Sequence, residues 1–67
     1  MIKYKIDILK ELRKAGYTDT ILRQKRLLSP AVLQRIREGK IIHPESLDKI
    51  CYLLNCQPGD ILMWEID

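Results

Sequence analysis

The sequence is poor in the residues that build disulfide frameworks, metal centres and nucleophilic active sites. It has two cysteines, one histidine and no phenylalanine. Cys51 and Cys56 are too few and too close for a disulfide framework, and their spacing with a single histidine is not a usual zinc pattern. We interpret both as small buried thiols, with a redox or metal role as the alternative.

The single histidine gives little support to catalysis. His43 stands directly before Pro44, a pattern that favours a helix cap, and no serine, cysteine or acid is obviously arranged to use it. We therefore predict that the protein is not an enzyme and needs no cofactor, metal or small-molecule ligand.

Long apolar runs and low-complexity segments are also missing. No stretch approaches the roughly 20 apolar residues of a membrane span, and neither a signal peptide nor an internal repeat is visible. We expect a soluble cytoplasmic protein without membrane contact, folded as one domain over residues 1–67. The net charge of +3 and pI near 9.0 favour a polyanionic partner.

The most informative segment is a predicted third helix between Ser29 and Gly39. Ser29 is a good N-cap, Pro30 suits the first turn, and Gly39 provides a stop. One stripe of this helix is apolar and predicts a buried face: Val32, Leu33 and Ile36. The other side carries polar and cationic residues: Gln34, Arg35 and Arg37. A short capped helix of this kind suits the major groove of DNA.

Four further helices and one extended segment follow from the same local signals. We predict a first helix over 6–14, a second from a Thr18 cap to about residue 26, a fourth over 44–54, and a short fifth beginning at Pro58. Asn55 is predicted to close the fourth helix in a left-handed conformation. The alternation in residues 1–5 indicates a short extended arm. The predicted fold is all-α, with five short helices.

The apolar tail has two interpretations. Trp64, with Met63 and Ile66, either packs over the core of its own chain or joins a dimer interface with an arm containing Ile2 and Tyr4.

Several segments together resemble the lambda-repressor-like (Cro/C1, XRE-type) helix-turn-helix regulators, in their small stand-alone bacterial and phage branch. They are Leu22-Arg23, Ser29-Pro30, Gly39-Lys40 and the run from Leu47 to Leu62 that contains Ile-Cys, Leu-Asn-Cys and Gly-Asp-Ile. The resemblance covers residues 6–64. It implies a five-helix DNA-binding domain with a helix-turn-helix at about 18–38, and usually a homodimer.

The resemblance also implies roles for seven residues. Those that would face the bases of double-stranded DNA are Pro30, Ala31, Gln34 and Arg35. Those that would meet phosphates are Thr18, Ser29 and Lys40. The charge of Arg23 makes it a further candidate for a phosphate contact. By their chemistry, Arg35 suits guanine and Gln34 adenine, whereas Pro30 and Ala31 offer only apolar contact. We expect modest base discrimination.

Four positions depart from the family pattern. Asp19 replaces the usual Gln and would repel phosphate unless it turns back to cap its own helix. Arg23 replaces a small Ala, and Leu27 replaces a Gly in the turn. Arg37 replaces an acid that many members pair with an arginine on the first helix, and Glu38 is the candidate substitute partner for Arg13.

Two functions fit these observations. The first is a DNA-binding transcriptional regulator, a repressor. The alternative is an antitoxin-like or adaptor module that uses the same fold to bind proteins, which Asp19 and the plain Pro30-Ala31 start would explain.

Overall fold

The computed structural model describes residues 1–66 as five short helices and a two-stranded sheet made by the two ends of the chain. In chain order the elements are β1 (Ile2–Tyr4), α1 (Ile8–Lys14), α2 (Asp19–Gln24), α3 (Pro30–Arg37), α4 (Pro44–Leu54), α5 (Pro58–Ile61) and β2 (Leu62–Trp64). The five-helix prediction and the extended arm are both confirmed. No helix within the described part of the chain has the length and apolarity that crossing a bilayer demands.

The first four helices each begin at a side-chain cap. The Thr18 hydroxyl accepts a hydrogen bond from the Ile21 backbone N–H at 3.3 Å, and Ser29 does the same for Val32 at 3.2 Å. The Nδ1 atom of His43 accepts from the Glu45 N–H at 3.2 Å, which confirms a capping role. Each cap satisfies a donor that has no partner within its helix.

The first helix starts later than the sequence predicts. Its observed start is Ile8, because the Asp7 carboxylate caps the helix by accepting from the Lys10 N–H at 3.2 Å. A residue that caps must leave helical geometry, so Ile6 and Asp7 lie outside α1.

The same four helices end in one recurrent turn. A left-handed residue follows the helix in each case: Gly16, Arg26, Gly39 and Asn55. The next residue then donates its N–H back to a carbonyl five positions earlier, as Leu27 does to Leu22 at 2.9 Å. The stops at Gly39 and Asn55 were predicted from the sequence, and Gly16 provides another.

Arg26 is the unexpected member of this set. The second helix was expected to reach residue 26, with the departure in the turn at Leu27. The structure ends α2 at Gln24 and places the positive φ of 53° on Arg26. Leu27 therefore needs no left-handed backbone, and it packs with Leu28 against the core.

One apolar core joins all five helices. Its buried members are Ile8, Leu9, Leu12, Leu22, Leu28, Leu33, Ile36, Ile42, Ile50 and Ile61. Cys51 and Cys56 are half-buried against this core, and neither forms a disulfide within residues 1–66. Burial and the neighbouring Cys51 raise the pKa of the Cys56 thiol. This placement matches their interpretation as packing residues.

The chain ends form an antiparallel ribbon, which pairs Ile2 with Trp64, Lys3 with Met63 and Tyr4 with Leu62. The fifth helix, predicted to begin at Pro58, ends at Ile61, and Leu62 and Trp64 belong to β2. Trp64 is 68% exposed. The interpretation that it covers the core of its own chain is therefore wrong.

The strained turn after α2 allows a direct test. An L residue with positive φ costs about 1–2 kcal/mol, and glycine avoids that cost while losing about 0.5–1 kcal/mol of chain entropy. We expect Arg26→Gly to raise the free energy of unfolding by about 0.5 kcal/mol or slightly more, measured by urea denaturation.

The matched control is Lys25→Gly at the preceding residue, whose φ is −88°. There glycine relieves no strain, so the free energy of unfolding should fall by about 0.5–1 kcal/mol. Equal losses in the two variants would contradict the strain at Arg26.

Candidate nucleic-acid interface

The third helix buries one face and presents the opposite face to solvent. Leu33 and Ile36 are buried, and Val32 is half-buried. The exposed side carries Pro30, Ala31, Gln34 and Glu38. Successive residues of a helix are rotated by about 100°, so residues three or four positions apart lie on the same face. The Gln34 side chain makes no hydrogen bond within residues 1–66. The exposed face therefore starts with two small side chains and continues with a free amide.

Two helix N-termini present hydroxyl groups beside this face. Thr18 and Ser29 use their oxygens as acceptors in capping α2 and α3, and both residues are exposed. A hydroxyl that accepts in this way still has its own O–H to donate. Since the helix dipole already favours an anion at these ends, both positions suit a phosphate oxygen.

The acid at the start of α2 is neutralised by an arginine from α3. The Asp19 carboxylate accepts a hydrogen bond from the Arg37 guanidinium, and the pair joins the two helices of the helix-turn-helix unit. Asp19 is therefore not an unpaired charge that repels phosphate. As a result, the Arg37 guanidinium is engaged by Asp19 and is less available for a contact outside the molecule.

Arg35 also makes an internal contact. Its guanidinium donates to the Ile41 carbonyl at 2.7 Å, just after the end of α3, while the residue stays exposed. Arginine has five N–H donors, so this bond leaves others available at the surface. Arg35 thus stands at the edge of the exposed face and not at its centre.

Tyr4 of β1 holds the same connecting segment. Its hydroxyl donates to the Lys40 carbonyl at 2.6 Å. Burial raises the pKa of Tyr4 above the ordinary 10.0, while a backbone hydrogen bond with Ile42 and the charge of Arg35 offset part of that rise. The exit from α3 is therefore held from two sides.

The remaining predicted phosphate contacts are cations with weak internal partners. Lys40 Nζ lies 3.7 Å from Glu38, and Arg23 Nε donates to the Asp19 carbonyl at 3.4 Å. Glu38 therefore pairs with Lys40, and the expected pair between Glu38 and Arg13 is wrong. Such exposed pairs exchange readily for a phosphate, because each is worth at most about 1 kcal/mol.

A basic concavity lies beside the N-terminus of α3. Its walls include Ser29 and Pro30 together with three cations: Arg23, Arg26 and Lys49. Lys49 comes from α4, and nothing in the local sequence pattern predicted that it would join the residues around α3. Its position requires the packed fold.

The comparison with protein-family models identifies the domain. The model of the Cro/C1-type HTH DNA-binding domain matches residues 7–67 of the 67-residue chain. The chain belongs to this family. No curated protein and no solved structure gives a significant match to it.

The structure brings together all eight residues predicted for this Cro/C1-type domain on or beside the α2–α3 unit. Their exposure allows a role in DNA contact, which itself stays a prediction. Two contacts were missed by sequence reasoning: the pair between Asp19 and Arg37, and the bond from Arg35 to Ile41. The first joins residues 18 positions apart, and no periodic signal connects them.

The pair between Asp19 and Arg37 can be measured by a double-mutant cycle. We expect Asp19→Ala, Arg37→Ala and the double variant to give a coupling energy of up to about 1 kcal/mol, since both side chains keep considerable exposure to solvent and salt. Urea denaturation at low salt measures it. A coupling of zero or of opposite sign would show that the pair does not hold α2 to α3.

The Tyr4 hydroxyl gives a pH-dependent test. Tyr4→Phe removes the bond to Lys40 and should lower the free energy of unfolding by about 1 kcal/mol near neutral pH. Because the folded pKa of Tyr4 is above the unfolded value, its contribution is present below pH 10.0 and is lost as the pH rises further.

The gap in stability between wild type and Tyr4→Phe should therefore narrow at alkaline pH. Tyr52→Phe is the control, since Tyr52 is 84% exposed and should give no gap at either pH. A gap that stays constant above pH 10 would contradict the role of the Tyr4 O–H.

Proposed function

We propose that the protein is a DNA-binding transcriptional regulator, a repressor, that acts in the cytoplasm as a homodimer on double-stranded DNA. Residues 1–67 serve as one domain, with α3 in the major groove. The observation that supports this best is the exposed face of α3, which begins with Pro30 and Ala31 and lies between the capped N-termini at Thr18 and Ser29. Small side chains at that end allow close approach to the bases.

The eight predicted residues then take separate roles. Gln34 pairs with adenine, Arg35 donates to guanine from the edge of the helix, and Pro30 and Ala31 meet thymine methyl groups. Phosphates are contacted by hydroxyls and cations: Thr18, Arg23, Ser29 and Lys40. The phosphate contacts orient the domain, and the base contacts discriminate between sequences.

Repression and a homodimer follow from the limited size of this surface. A single helix face with one amide and one guanidinium recognises few bases, so two copies on adjacent half-sites multiply a weak preference. Occupying a promoter is sufficient to block transcription, whereas activation needs an additional surface for the polymerase.

The adaptor alternative loses part of its support. It gained weight from the repulsion between Asp19 and phosphate, but Arg37 neutralises that carboxylate. Selection of bound sequences from a random duplex pool separates the two functions. We expect a two-fold motif, and affinity that falls steeply with salt. No enrichment together with salt-independent binding would favour the adaptor.

Two substitutions separate base contacts from phosphate contacts. Gln34→Ala should relax preference at one base position in each half-site, at a cost of about 1–3 kcal/mol. Arg35→Ala should do so at a neighbouring position. Lys40→Ala should weaken all sequences alike and reduce the slope of log affinity against log salt by about 0.9 for each lysine lost.

Lys10→Ala, an exposed residue of α1 outside the proposed interface, is the matched control for charge and should leave the preferences unchanged. All variants are first checked for a folded state by circular dichroism, because Arg35 also holds Ile41. Unchanged specificity in both Gln34→Ala and Arg35→Ala would show that α3 does not read the bases.

A further inference from the structure

The terminal ribbon has one apolar and one charged face. Ile2 and Trp64 are directly opposed on the ladder, and their exposed fractions are 52% and 68%. Tyr4 and Leu62 share that face, where they are half-buried against the core. The opposite face carries an ion pair between Lys3 and Glu65. The exposed apolar pair is thus a lateral continuation of the core.

The two edges of the ribbon differ in charge. β1 contains Lys3 and is followed by Lys5, and lysines on an edge oppose pairing with another strand. The three residues of β2, Leu62–Trp64, carry no charge. Only the β2 edge is therefore open to strand addition.

The ladder also determines which backbone groups point away from β1. Met1 and Glu65 exchange both of their N–H to carbonyl bonds. Such pairs alternate along an antiparallel ladder, so Met63 faces Lys3, whereas Leu62 and Trp64 direct their groups to the outer edge. The Leu62 N–H already donates to Pro58. The Leu62 carbonyl and both backbone groups of Trp64 are left at this edge.

We propose that the β2 edge pairs with β2 of a second copy of this chain, in antiparallel orientation about a two-fold axis at Trp64. Each Trp64 then exchanges two backbone hydrogen bonds with its counterpart, and each Leu62 carbonyl accepts from Ile66 of the other copy. In the resulting four-stranded sheet, four side chains form one row across the apolar face. They are Ile2 and Trp64 of one copy followed by Trp64 and Ile2 of the other. This row covers side chains that the single chain leaves in water.

A second copy fits this edge better than an unrelated strand. The unused donors and acceptors are self-complementary about Trp64, and Glu65, the charged residue beside the axis, is paired with Lys3 of its own chain on the opposite face. Ile66, which is 79% exposed, comes opposite the half-buried Leu62. This inference rests on the proposed function, since it supplies the homodimer that two half-sites require.

The test uses the single tryptophan of the chain as its own reporter. Without DNA, sedimentation equilibrium should show a monomer–dimer equilibrium, and the Trp64 emission should shift to shorter wavelength as concentration rises. Trp64→Lys should abolish self-association while keeping the helical circular dichroism of the wild type, because Trp64 is not part of the core. Tyr52→Lys, at an even more exposed aromatic residue on α4, should associate like wild type.

Three results would overturn the inference. They are a wild type that stays monomeric at every concentration, a dimer with unchanged Trp64 emission, and a dimer that Trp64→Lys leaves intact. Each is distinguishable from failure of the proposed function, because salt-dependent binding to random duplex is measured separately and does not require the β2 contact.

Discussion

The burial of Leu33 and Ile36 is the interaction on which the arrangement of α3 depends. Removing such a side chain from water is worth about 1.5–3 kcal/mol, whereas an exposed ion pair is worth at most about 1 kcal/mol. Both residues are almost inaccessible, so packing determines which side of α3 meets solvent. The pair between Asp19 and Arg37 adjusts an orientation that the core has already selected. Losing that pair would loosen the contact between α2 and α3 without changing which side of α3 meets solvent.

The same orientation distributes the charges around α3. Arg37 turns toward Asp19, Arg35 donates to Ile41, and Lys40 lies near Glu38. The cations therefore surround the exposed face, while its middle is small and nearly uncharged. Such a surface suits a nucleic acid whose phosphates lie on both sides of a groove. Contacts at such a surface orient a protein on the nucleic acid more readily than they discriminate between base sequences.

Local signals predicted most of the fold, because a helix end is decided by a few neighbouring residues. Thr18, Ser29 and His43 were recognisable caps, and Gly39 and Asn55 were recognisable stops. Arg26 was not, since an arginine in the left-handed region has no sequence signature and is imposed by the turn toward Leu27. Asp7 was missed because the apolar Ile6 before it suggested that the helix had already begun.

The site was harder to predict, since its contacts join residues distant in the chain. The eight residues came from resemblance and the surface pattern, but their internal partners came only from packing. Asp19 shows this well: it looks unfavourable for binding DNA until Arg37 is placed beside it. The prediction that Trp64 covers its own core failed for a different reason. Hydrophobicity predicts burial without saying whether the covering surface belongs to the same chain.

Tyr4 connects the two surfaces that the proposed function and the proposed dimer use. Its backbone lies opposite Leu62 in the ribbon, while its hydroxyl holds the Lys40 carbonyl at the exit of α3. One side chain therefore joins the ribbon to the segment that Arg35 holds from the other side. In the proposed dimer, Tyr4 lies between the two-fold contact and the exit from α3.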